Sequence, residues 1–179
     1  MGQRKVKLKM YDPNWEGLFD EEAIQLRSLF GDQVLRVYHV GSTAIPGILA
    51  APVIDVIVEV RDISKIDYYN QAMRKHGYTS LGENGIPGRR FFVKGPLEEP
   101  SHYIYVYEKG DTEIGKMMDF RDYLKTHPSD ARAFSIHKSK LAETYPDDFS
   151  AYEVHKVDFF YDMMKKIDIW KTNIMKDLF

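Results

Sequence analysis

Gly41-Ser42-Thr43 and Asp55 are the residues of this chain whose types and spacing could do chemistry. An apolar stretch (Val34, Leu35, Val37, Val40) leads into the run His39-Val-Gly-Ser-Thr-Ala-Ile-Pro-Gly47. A second apolar run, Pro52-Val-Ile-Asp-Val-Ile-Val-Glu-Val60, carries a single carboxylate near its start, Asp55. The backbone N–H groups of a Gly-Ser turn, with the Ser42 hydroxyl, can hold an anion. A carboxylate on the neighbouring strand can hold the cation that accompanies it. The expected chemistry is therefore a phosphate site with a metal at Asp55. Two plainer readings compete with it. Ser and Thr hydroxyls cap backbone groups in ordinary connecting turns. An Asp in an apolar strand is often a hydrogen-bonded structural carboxylate, and its burial is costly unless a cation or donors meet it. On either reading Asp55 needs a partner. His39 is expected to be a satisfied core imidazole, with a phosphate-facing role as the alternative.

Basic residues supply the other candidates. Arg89 and Arg90 follow a Pro-Gly turn, and strand alternation sends one to each side of a sheet. Either one, on reaching the Gly-Ser loop, would neutralise phosphate through a bidentate contact. Lys94 shares the Arg90 face. Lys138 and Lys156 lie in helical sequence, where lysines are ordinarily solvated. Arg121 and Asp122 are sequence neighbours on a predicted helix, about 100° apart, and are expected to anchor that helix to the sheet rather than to pair with one another. No histidine spacing resembles a metal site, and no Ser-His-Asp arrangement is visible.

The elements that must position these groups follow from periodicity. Asp12-Pro13-Asn14 opens a helix whose apolar face (Trp15, Leu18, Phe19, Ala23, Leu26, Leu29, Phe30) stops at Gly31. Strands are predicted over 34–41 and 53–60, the second apolar enough to be covered on both faces. A helix is predicted over 63–76, then short antiparallel strands at 78–82, 89–94 and 102–107 separated by Gly/Pro turns. Helices are predicted over 112–126, 129–144 and 147–170 or beyond, with Pro128 and Pro146 in the first turns of the last two.

Bulk composition bounds the function. A chain of 179 residues with 44% hydrophobic and 29% charged residues is expected to form one globular domain, with a small appended helical subdomain as the alternative. A formal charge of -2 gives no strong nucleic-acid signal. The absence of cysteine removes disulfide and thiolate chemistry. No run is apolar enough for a membrane span and no signal-peptide core is visible, so a cytoplasmic location is expected.

Taken together, Tyr11-Asp-Pro-Asn-Trp15, the His39–Gly47 run, Pro52-Val-Ile-Asp55, Gly85-Ile-Pro-Gly-Arg-Arg-Phe-Phe92 and Phe120-Arg-Asp-Tyr-Leu124 resemble the GrpB family (UPF0157-type). Lys138, Leu141-Ala142, Tyr152 and Lys156 extend the resemblance into the tail, and it implies an anion-binding role for Lys138 and Lys156 as the alternative to a solvated one. It implies an α+β fold: a nucleotidyltransferase-like mixed β-sheet flanked by helices over residues 1–110, with a helical C-terminal region over 111–179 packed on it. In nucleotidyltransferases Gly-Ser is followed by Asp-x-Asp or Asp-x-Glu, whose two carboxylates share magnesium on one sheet face. Here the second position is Ile57. Glu59 is on the same face, but its Cα is roughly 13 Å away. Relatives often carry His-x-His where this chain has Tyr103 and Tyr105, which leaves His102 out of step on the opposite face.

The resemblance thus implies a small-molecule nucleotide or phosphate ligand held by His39, Gly41, Ser42, Thr43, Arg89, Arg90 and Lys138. Asp55 and Ser42 would be the catalytic groups of a magnesium-dependent nucleotidyl transfer, with the metal at Asp55. The alternative is a non-catalytic nucleotide- or anion-binding or interaction module that has lost the second metal carboxylate.

Overall fold

Asp12 opens the first helix by accepting the Asn14 amide at 2.9 Å, and Pro13 follows where a missing N–H is harmless. The computed structural model describes residues 4–178. In chain order these form α1 (Asn14–Phe30), β1 (Val34–Val40), β2 (Ile54–Val60), α2 (Asn70–Lys75), β3 (Tyr78–Ser80), β4 (Arg90–Lys94), β5 (His102–Glu108), α3 (Thr112–Thr126), α4 (Pro128–Thr144) and α5 (Phe149–Asp177). The five strands make one mixed sheet in the order β1-β2-β5-β4-β3. Pairing is antiparallel throughout except between β2 and β5, which run parallel.

Helix α1 covers one face of the sheet. Leu26 and Phe30 pack there against Val56, Val58, Phe92, Ile104 and Val106. Burying each such side chain contributes about 2 kcal/mol. Leu18, expected on the apolar stripe, is exposed, while Glu22 is buried instead. Glu22 is drawn inward by its partners: the Tyr78 hydroxyl and the Lys94 ammonium both donate to its carboxylate, and His102 Nε2 lies 3.7 Å from it. A buried carboxylate met by two donors is tolerable, and removing either would expose the desolvation cost. His102 therefore does lie on the face opposite Tyr103 and Tyr105.

The other face is covered by the C-terminal helices. Val40, Ile57 and Tyr107 pack under Ile114 of α3. Ile45 and Ile48, from the β1–β2 connection, sit among Phe120, Leu124, Phe134, Met163 and Ile167 of α3, α4 and α5. This wedge presses the Gly-Ser loop against the helical tail.

Three local expectations are corrected. Residues 63–69 form a 3-10 helix, and only 70–75 are α-helical. The Asp62 carboxylate accepts from both the amide and the hydroxyl of Ser64, and that tight cap draws the chain into i→i+3 bonding. Pro128 does begin α4, but Pro146 lies in the turn before α5, whose N-cap is Asp148, accepting from Ala151 N at 3.0 Å. Arg121 and Asp122 do pair, Arg121 Nε donating to Asp122 Oδ1 at 2.8 Å. Arg121 Nη1 still donates to the His39 carbonyl at 2.9 Å, tying α3 to β1 as anticipated. No helix among the described residues is long and apolar enough to cross a membrane.

Candidate functional site

The site is built where β1 ends and β2 begins. Val40 pairs with Asp55 in the antiparallel register, so the chain turns at Gly41 directly beside the carboxylate. Gly41 has φ 72 and ψ -173, a region essentially restricted to glycine. A Cβ there would stand 2.3 Å from Asp55 Oδ2. Backbone and carboxylate thus touch with no room for a side chain.

Ser42–Ala44 form a single 3-10 turn. The amides of Ala44 and Ile45 are spent inside it, each at 3.1 Å from the carbonyl three residues back. The expected cradle of backbone amides is therefore reduced, and side chains must supply the charge. Lys138 of α4 does so. It is 2% exposed, and its ammonium donates to Ser42 Oγ at 2.9 Å and to the Leu49 carbonyl. Because Ser42 Oγ accepts from Lys138, the serine keeps its own proton for an incoming acceptor. Burial pushes the Lys138 ammonium down to about 7, with Lys156 acting in the same direction.

Asp55 has a named partner as well. The Tyr105 hydroxyl donates to Oδ1 at 3.1 Å. Burial pushes that phenol well up, so it remains a donor. Burial also pushes the Asp55 carboxyl up to about 7, against the opposing pull of Lys156, Tyr105 and Lys138. Asp55 keeps part of its surface open at the floor of a narrow chamber, and that confinement is what desolvates it. Helix α5 closes the chamber with Tyr152, Glu153 and Lys156, the last two paired at 2.6 Å. The chamber holds about 100 Å³, the size of a phosphate-like group.

Of the residues expected from sequence, Gly41, Ser42, Thr43, Asp55 and Lys138 meet here. His39 does not face the chamber. It stacks on Phe19 of α1 at 4.9 Å and braces the loop from behind, its Nε2 2.9 Å from Thr43 Oγ1. Burial, with Lys125 and Arg121 nearby, pushes this imidazole down to about 4, so it is neutral at physiological pH. Arg89 and Arg90 also lie elsewhere. They do alternate across the sheet, but Arg90 pairs with Val106, which puts both near the Glu59 end of β2 rather than the Asp55 end. Arg90 is held by Asp67 in a two-point contact, and Arg89 donates to the carbonyls of Glu83 and Asn84. Lys156, raised by the family resemblance as an anion-binding lysine, does line the chamber, whereas Tyr152 and Glu153 were not legible as parts of a site, because α5 reaches it only through the tertiary fold.

A magnesium ion fits this donor set poorly. Ile57 stands at the second carboxylate position and is fully buried. Tyr103 and Tyr105 occupy the register positions facing Asp55 and Ile57 on β5. Among the described residues no three His, Asp or Glu side chains gather to hold a metal. Two lysines, Lys138 and Lys156, line the chamber beside Asp55. The Lys138–Ser42 contact resembles a serine nucleophile beside a lysine base. The amides of Ala44 and Ile45, committed to the turn, are not available to such a nucleophile as an oxyanion cradle.

A family model described as GrpB protein matches residues 5–166. The chain is 41% identical over 140 residues to the UPF0157 protein YqkA of Bacillus subtilis, a stretch covering 78% of this chain and 40% of that protein. The crystal structure of conserved protein GrpB from Enterococcus faecalis superimposes with a TM-score of 0.82 at 33% identity, over 89% of this chain and 98% of that one. The crystal structure of the Cid1 poly(U) polymerase superimposes with a TM-score of 0.50 at 9% identity, over 76% of this chain and 43% of that one. This last likeness is one of fold alone, and it matches the α+β, nucleotidyltransferase-like architecture expected from the sequence.

Proposed function

Because the chain belongs to the GrpB family, whose fold is nucleotidyltransferase-like, we propose that the Gly41–Ser42 turn is kept as a phosphate-binding device without two-metal catalysis. The ligand is a small phosphorylated molecule. Its phosphate is held by the Ser42 hydroxyl and the Lys138 ammonium, with Lys156 as a second positive charge and Asp55 in its protonated form as a further donor. The observation that carries this reading is the buried Lys138 ammonium 2.9 Å from Ser42 Oγ, facing a chamber of phosphate size. A lysine buried to this degree is costly unless an anion or a full set of acceptors repays the desolvation. Nucleotidyl transfer on a nucleoside triphosphate would need a second metal carboxylate, and Ile57 stands at that position.

Calorimetric titration with inorganic phosphate tests the proposal. Wild-type protein is expected to bind it, and Lys138→Met to bind at least about tenfold more weakly, the loss of one charge-assisted hydrogen bond. The substitution conserves volume and removes a buried charge, so the melting temperature should hold or rise. Equal phosphate affinity in the two proteins would contradict the proposal. So would absence of phosphate binding by the wild type.

A further inference from the structure

Beside the polar chamber lies a second hollow of about 220 Å³ with a different lining. It shares Ser42, Asp55 and Lys156 with the polar chamber, so the two abut along the Gly41 turn and the first half of α5. Its remaining walls are apolar: Met117 and Phe120 of α3, Phe134 of α4, and Val157 and Phe160 of α5. Phe120 lies edge-on to Phe134 at 5.5 Å and tilted against Phe160 at 5.1 Å, which fixes an aromatic wall with little rotamer freedom.

We propose that the ligand is a phosphate monoester with a compact flat body, its phosphate in the polar chamber and its aromatic or heterocyclic ring against Phe120, Phe134 and Phe160. This rests on the phosphate reading above and narrows it to a substrate class. Three arguments carry it. The polar chamber alone is too small for more than a phosphate-sized group, and only with the adjoining hollow does the space approach the few hundred cubic ångströms of a small-molecule site. An apolar, aromatic lining with a few polar groups at one end is the pattern of a pocket that orients an amphipathic ligand. Free phosphate would leave the aromatic wall unused, and a purely apolar ligand would leave the Lys138 ammonium without an anionic partner.

The test compares inorganic phosphate with phenyl phosphate and uridine monophosphate by calorimetry, on the wild type and on Val157→Phe. Val157 is 42% exposed at the rim of the apolar hollow, so a phenylalanine there fills the hollow without disturbing the core. Phenyl phosphate is expected to bind the wild type at least about tenfold more tightly than inorganic phosphate, from apolar area removed from water. In Val157→Phe that preference should fall to within about twofold. A matched melting temperature for the variant verifies that the fold is kept. Phosphate and phenyl phosphate binding equally to the wild type would overturn this inference while leaving the phosphate reading intact. A preference that survives Val157→Phe unchanged would overturn it too, since the ring would then sit elsewhere. If none of the three probes binds, the phosphate reading itself falls.

Discussion

Replacing Gly41 with alanine should lower stability by about 3 kcal/mol and abolish phosphate binding. For a chain of this length, that corresponds to a fall of roughly 6–12 °C in melting temperature. Two costs combine. The backbone at Gly41 has φ 72, which an L side chain adopts only under strain. The added methyl would also meet Asp55 at Oδ2, Cγ and Cβ, at 2.3, 3.0 and 3.1 Å. Asp55 is too short to swing clear without giving up the Tyr105 hydrogen bond, so the carboxylate and the turn must separate. Gly47→Ala supplies the control. Gly47 has φ 84 in the same connection, but a Cβ there meets nothing within 4 Å. It should therefore cost only the strain, about 1 kcal/mol, and leave phosphate affinity nearly intact. Equal effects of the two substitutions, measured by thermal melting and calorimetry, would show that the close contact with Asp55 has no special role.

Anion affinity should fall above pH 7 by up to about tenfold per pH unit for each of two titrating groups, and so by well over a hundredfold between pH 7 and 9. The sign follows from two groups. Asp55, pushed up to about 7, is neutral below that pH and repels an anion above it. Lys138, pushed down to about 7, is cationic below that pH and neutral above it. Both changes remove positive charge as pH rises, so both weaken binding in the same direction. An anion that binds favours the protonated form of each and must take up protons from solution at higher pH. Sulfate is the suitable probe, because its charge is constant over this range while that of phosphate is not. Asp55→Asn should keep the binding and reduce the slope, since one of the two titrating groups is gone. A sulfate affinity that varies less than threefold from pH 6 to 9 would contradict the assignment of these groups to the site.

How much of this was legible in the sequence depends on the distance over which each contact is made. The turn at Gly41-Ser42 and the placement of Asp55 on the adjoining strand follow from alternation and turn chemistry, because β1 and β2 are consecutive, paired strands. The register of Tyr103 and Tyr105 against Asp55 and Ile57 could be anticipated from alignment to a shared pattern, and period-two alternation sends His102 to the Glu22 side. Arg89 and Arg90 show where such reasoning stops. Alternation gives the face a strand residue points to, but not its height along the sheet, and the β4–β5 register puts both at the far end. The α5 contribution was only partly visible for a similar reason: the family resemblance marked Tyr152 and Lys156 but not where they meet the sheet. Nothing local to Tyr152, Glu153 or Lys156 says that a helix about one hundred residues after Asp55 folds back over it. The burial of Lys138 was hidden as well, since its helix has an ordinary mixed sequence and its contacts, Ser42 and Leu49, lie some ninety residues earlier in the chain.

A crystal soaked in selenate tests the central claim most directly, since selenium marks the anion by its anomalous signal. The expected result is a peak in the chamber between α5 and the loop after β1, within hydrogen-bonding distance of both Ser42 Oγ and Lys138 Nζ. A chamber free of selenium, with the Lys138 ammonium still bound to Ser42 and Leu49 at full selenate concentration, would contradict it.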